Sequence, residues 1–157
     1  MKMNRLNPFL FLMAFMVSFG FAACGSDDDG NKEEPVDTEK PVIELTTPEN
    51  DGSYSKSVGD FFISGKFTDN VALDTCTFSI NINSKSASSL KSIDDPVDWE
   101  PDAVGFSLSG KEKSFSNEDI FGKIWDNARP DSYTLNIEVI DAAGNTATER
   151  ISFNITE

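Results

Sequence analysis

The sequence contains no histidine, and its lysines and arginines number only 13 against 27 aspartates and glutamates. Without imidazole, the Ser-His-Asp and Cys-His catalytic sets and His-bearing zinc sites are excluded. A formal charge of −14 argues against a nucleic-acid partner, because phosphates must be met by a basic face. Two cysteines are too few for a disulfide-stapled scaffold. No phosphate-cradling glycine loop and no cofactor fingerprint is found. What the chain does have is 157 residues, 38% of them hydrophobic and 13 of them Phe. That is enough for one ordinary domain with a real core.

The one long apolar run lies at the start. Met1–Ala23 reads as a secretory signal peptide, with Lys2 and Arg5 as its positive region and Pro8–Ala23 as its apolar stretch. The stretch is short for a membrane-spanning helix, which needs roughly 20 apolar residues. Phe21-Ala22-Ala23-Cys24 resembles a bacterial lipobox, with Phe21 where Leu is usual. The resemblance implies cleavage before Cys24 and acylation of its sulfur and amine, and several acyl chains suffice for stable anchoring. Gly25-Ser26-Asp27-Asp28-Asp29 resembles the acidic export signal of surface lipoproteins in Bacteroidota. It implies the outer face of the outer membrane, with the periplasmic face as the alternative. The plain reading of Ser26, Asp27, Asp28 and Asp29 is a solvated tether.

Removing Lys2 and Arg5 with the signal lowers the formal charge of −14 by two, to −16. Cys24–Lys40 then reads as a lipidated Cys and an acidic flexible tether. Val36 is its only large apolar residue, so it cannot bury enough surface to order itself. With Cys24 lipidated, Cys76 is the remaining thiol, and Pro41–Glu157 must be held by its core alone.

Period-2 alternation dominates that segment. It marks strands at Pro41–Leu45, Phe61–Thr68, Thr75–Asn83, Val104–Leu108, Lys113–Phe115, Tyr133–Val139 and Ala147–Ile155. One apolar and one polar face predict antiparallel sheets packed face to face. Asn117–Trp125 carries Ile120, Phe121, Ile124 and Trp125 at helical spacing and predicts a short helix or an irregular segment. Ser84–Ala103 is polar, with Asp94, Asp95, Asp98, Glu100 and Asp102 clustered around Trp99.

Pro130 with Tyr133, an alternating strand, and then Asp141-Ala142-Ala143-Gly144-Asn145 resembles the last hairpin of immunoglobulin-like, cadherin-like and fibronectin-like sandwiches. Tyr133 takes the place of a tyrosine corner. Together with Pro41-Val42-Ile43, Thr68-Asp69-Asn70, Trp99 and Gly110-Lys111, these residues resemble an uncharacterised family of Bacteroidota lipoproteins with an immunoglobulin-like domain, classed as a domain of unknown function. The resemblance implies an all-β, immunoglobulin-like antiparallel β-sandwich of about seven strands. It implies no enzymatic activity.

Four sites merit attention. In such a sandwich the second and penultimate strands end at one pole, which would gather Asp69, Asn70, Asp141 and Asn145, with Asp74 nearby. Hard oxygen donors suit Ca²⁺; the plain reading is Asx-turn chemistry, with Gly144 at positive φ. Glu49-Asn50-Asp51 belongs to the opposite pole. Cys76 shares parity with Phe78 and reads as a core residue. Trp99, with Trp125, offers a sugar-stacking platform or simply packs. The carboxylates of 94–102 read as a solvated loop, since nothing there sets a pair of unequal pKa values. The expectation is a surface lipoprotein, anchored to the membrane through Cys24, that binds a protein or glycan partner or has a structural role. A glycan-binding accessory to nutrient uptake is the alternative, and a polysaccharide hydrolase the least favoured reading.

Overall fold

The structure, a computed structural model, describes residues 36–84 and 95–157. The signal segment, Cys24, Ser26–Asp29 and Asp94 lie outside the described residues.

Eight strands follow in order: β1 (Val42–Thr47), β2 (Gly52–Ser55), β3 (Ile63–Thr68), β4 (Leu73–Ile82), β5 (Val104–Ser107), β6 (Glu112–Glu118), β7 (Asp131–Asp141) and β8 (Thr146–Thr156). They form a three-stranded sheet, β1-β3-β6, and a five-stranded sheet, β2-β8-β7-β4-β5. Every pairing is antiparallel except β2 with β8.

The long strands follow their alternation. In β4 the side chains of Cys76, Phe78 and Ile80 point inward, and in β7 those of Tyr133, Leu135, Ile137 and Val139 do. Each large apolar side chain so buried contributes about 1.5–3 kcal/mol. Between the sheets, Phe67, Phe78 and Phe115 interlock with centroids 5.0–6.0 Å apart. A second aromatic cluster joins Phe61 to Phe153 at 4.7 Å and to Trp99 at 5.2 Å. At Gly65 the backbone of β1 leaves no room for a side chain: a Cβ there would meet the Glu44 carbonyl oxygen and lie 3.0 Å from Leu45 Cα.

One strand more than the expected seven or so forms, and of the two alternatives for Asn117–Trp125 the irregular segment is the one present. There are eight strands, because Gly52–Ser55 pairs in parallel with Phe153–Thr156. Its four Gly-Ser-rich residues are too few to show a period; backbone pairing with β8 makes it a strand, and Tyr54 packs edge-on to Phe61 and Phe153 at 5.1 and 5.8 Å. No helix forms among the described residues. Asn117 and Gly122 take φ of 51° and 73°, outside the right-handed helical region. The irregular path lets Ile124 N–H reach the Gly59 carbonyl at 2.8 Å.

Register defines two poles. Val42 faces Thr68, Thr68 faces Glu112, and Ile140 faces Thr146. Residues 37–41, 69–72, 108–111 and 142–145 therefore share one pole, called proximal below. Residues 56–62, 95–103 and 119–130 share the other, distal pole.

Candidate functional site

The proximal pole is built from two tight turns. At the end of β3, Asp69 Oδ1 accepts hydrogen bonds from the N–H groups of Val71 and Ala72, both at 2.8 Å. At the end of β7, Asp141 Oδ1 accepts from Ala143 and Asn145 N–H, again at 2.8 Å. Its Oδ2 accepts from Asn145 Nδ2 at 2.8 Å. Gly144, at φ 90°, closes that turn with its N–H on the Asp141 carbonyl. The two turns are stitched by Ala142 N–H on the Ala72 carbonyl at 2.9 Å. Burial alone would push the Asp141 carboxyl up. The hydrogen bonds from Asn145 and Ala143 outweigh it and hold the group below the ordinary carboxylate value.

A third carboxylate joins them from outside the strands. Asp37 Oδ1 accepts from Glu39 N–H and from Asn70 Nδ2, both at 3.0 Å. Its carbonyl accepts from Asn145 Nδ2 at 3.2 Å. One oxygen each of Asp37, Asp69 and Asp141 then lies within 4.8 Å of the other two. Asp69 is 9% exposed and Asp141 2%. The Oδ2 atoms of Asp37 and Asp69 are buried and meet no hydrogen-bond donor among the described residues. No lysine or arginine among the described residues pairs with the three carboxylates. The nearby Lys111 Nζ is spent on the Asn70 carbonyl at 2.7 Å.

The structure thus brings Asp69 and Asp141 together, with Asn70 and Asn145 beside them. Both Asn side chains turn their amide nitrogens to Asp37, holding it in place. Asp74 is exposed on β4 and stands outside the group. Asp37 was hidden from sequence reasoning inside an acidic tether. Its position just before β1 was the available signal, because β1 starts where β3 ends. Asn50 is held elsewhere, its Oδ1 accepting from Ser152 N–H at 3.1 Å.

The other candidates are placed as follows. Trp99, considered as a sugar platform, is 0% exposed and packs edge-on to Phe61, Phe121 and Phe153. Its ring offers no face to a glycan, because 95–103 folds back over the core end instead of standing in solvent. Trp125 is 42% exposed at the distal pole. Tyr133 is fully buried; its hydroxyl donates to the Arg129 carbonyl at 2.8 Å and accepts from Trp99 N–H at 3.3 Å. Cys76 is buried on the core face of β4, and burial pushes its thiol up to about 11. Within the acidic segment, Asp98 Oδ1 lies 2.9 Å from Arg129 Nε, in an ion pair too bent to be a hydrogen bond. Glu100 accepts from Ile82 N–H at 3.1 Å.

Two packed sheets of this strand order, closed by a buried Tyr133 that pins its own loop, define an immunoglobulin-like β-sandwich. The chain belongs to the family described as Domain of unknown function (DUF4625), whose model matches residues 22–156. No curated protein matches the chain.

Proposed function

We propose that the protein is a lipid-anchored lipoprotein of the Bacteroidota cell surface whose sandwich is a non-catalytic binding or structural module. The observation that carries this reading is where the chain enters. Residues 37–41 meet the body at the proximal pole, fixed by Asn70 and Asn145 on Asp37. A chain anchored upstream at Cys24 is therefore joined to that pole, and the distal loops are the ones left to meet a partner. The run Phe21-Ala22-Ala23-Cys24 and the acids Asp27–Asp29 support export and acylation. The charge of the processed chain keeps it off an anionic surface.

Mass spectrometry of protein from its native membrane tests the anchor. An acylated Cys24 at the new N-terminus is expected, and a bare Cys24 overturns the reading. Protease added to intact cells is expected to remove the sandwich; protection would place it on the periplasmic face.

A glycan ligand is the second reading, and the exposed indole of Trp125 favours it. That ring stands over an open depression of about 500 Å³ with Lys123, Asp126 and Asn127 around it. Glycan-array binding lost in Trp125→Ala supports it, and binding that this variant retains removes Trp125 from the contact. Polysaccharide turnover by the purified protein would overturn the non-catalytic reading.

A further inference from the structure

We propose that Asp37, Asp69 and Asp141 form a site for one Ca²⁺ ion, which fastens the segment before β1 to the proximal pole of the sandwich. The inference is independent of the anchor. Three carboxylates from three separate stretches of chain each offer an oxygen within 4.8 Å of the others. That distance is about twice a Ca²⁺–O bond, so the three oxygens can share one ion. Asp69 carries the argument. It is nine-tenths buried, its Oδ1 is saturated by two backbone N–H groups, and its Oδ2 is buried without a partner among the described residues. Asp37 repeats the pattern, with Oδ1 engaged and Oδ2 buried without a partner among the described residues. Buried carboxylate oxygens this close, with no cation among the described residues to meet them, call for a positive charge between them.

The donors identify the kind of ion. All three are hard carboxylate oxygens; the chain has no histidine, and Cys76 faces the core of β4. Zinc and copper lack their preferred ligands here. Mg²⁺ holds its waters and demands a rigid octahedron, whereas Ca²⁺ accepts irregular oxygen sets completed by water. Asp69 and Asp141 also hold their turns, so replacing either risks the fold. Asp37 lies outside every strand and is the clean probe.

The test uses the full chain, purified in detergent, stripped with EGTA and melted across a CaCl₂ series. The midpoint is expected to rise and saturate, half-way at about 0.1–1 mM, the range of extracellular modules. Asp37→Asn is expected to weaken the response at least about tenfold. In EGTA the same variant should melt at or above the wild type, because one of three like charges is gone. A residue with a merely structural role would not show that reversal. Cleavage by a Glu-specific protease after the exposed Glu39 should be slowed by CaCl₂ in the wild type and not in Asp37→Asn. No saturable shift up to about 10 mM, or one that both Asp37→Asn and Asp69→Asn retain, overturns the site. An equal midpoint in MgCl₂ overturns the assignment to Ca²⁺.

Discussion

Tyr133→Phe removes one oxygen and leaves the ring. That oxygen donates to the Arg129 carbonyl at 2.8 Å and accepts from the Trp99 N–H at 3.3 Å. Tyr133 and Trp99 are both fully buried, so water has no direct route to the stranded Trp99 backbone N–H, while the Arg129 carbonyl belongs to a half-buried residue. A buried donor or acceptor left unpaired costs about 1–3 kcal/mol. The longer of the two bonds sits at the weak end, so the variant should lose about 2–3 kcal/mol. In a sandwich of this size each kcal/mol moves the midpoint by about 3–5 °C, which gives a fall of about 6–15 °C. Circular dichroism melts and urea titrations read it directly, provided the transition is two-state. The urea m-value should stay unchanged, because the exposed surface is the same. A loss below about 0.5 kcal/mol would refute the reasoning and assign the residue's worth to its ring, stacked on Phe153 at 5.8 Å.

Cys76 should not react with a thiol reagent at pH 8 in the native protein and should react fully in urea. Its thiol is held protonated by burial, up to about 11 from an ordinary 9.0. The stability this contributes is complete below about pH 9 and lost as pH rises through about 11, so Cys76→Ala should soften the alkaline fall. Gly65→Ala should cost about 1–3 kcal/mol or more, since its methyl would strike the backbone of β1; hydrogen exchange should show β1 losing protection first. Iodide should quench the fluorescence of one tryptophan, Trp125, and leave Trp99 untouched; in Trp125→Phe the quenchable component should vanish.

The strands legible in the sequence were those whose burial alternates, above all β4 and β7 at the centre of the larger sheet. β2 was illegible because four residues, with Tyr54 the one large side chain that packs inward, are too few to show a period. Ile120, Phe121 and Ile124 mimic a helical stripe, yet they are simply the inward residues of an irregular cover. Trp99 left packing and sugar stacking both open for the opposite reason. Its acidic neighbours suggested a wet loop, but Asp98 and Glu100 make polar contacts at the surface while the indole turns inward. Asp69 and Asp141 could be grouped because each ends a strand running toward the same pole. Asp37 could not, because an acid in an acidic spacer carries no periodic signal. Only the start of β1 beside the end of β3 brings it near.

The parallel clasp of β2 on β8 determines how the body meets mechanical load. A pull between Val36 and Glu157 drags β2 toward the proximal pole and β8 the other way. Because the two strands run in the same direction, the force acts along their length, and the rungs from Gly52–Phe153 to Ser55–Thr156 must yield together. An antiparallel hairpin pulled at its open end would instead unzip rung by rung. Lys56 reinforces the far edge, with Nζ 2.7 Å from a Glu157 carboxylate oxygen, and Ser55 Oγ donates to the Glu157 carbonyl at 2.7 Å. One of the two shortest strands is therefore placed to resist shear, and it guards the sandwich against being drawn out thread by thread under a pull along the chain.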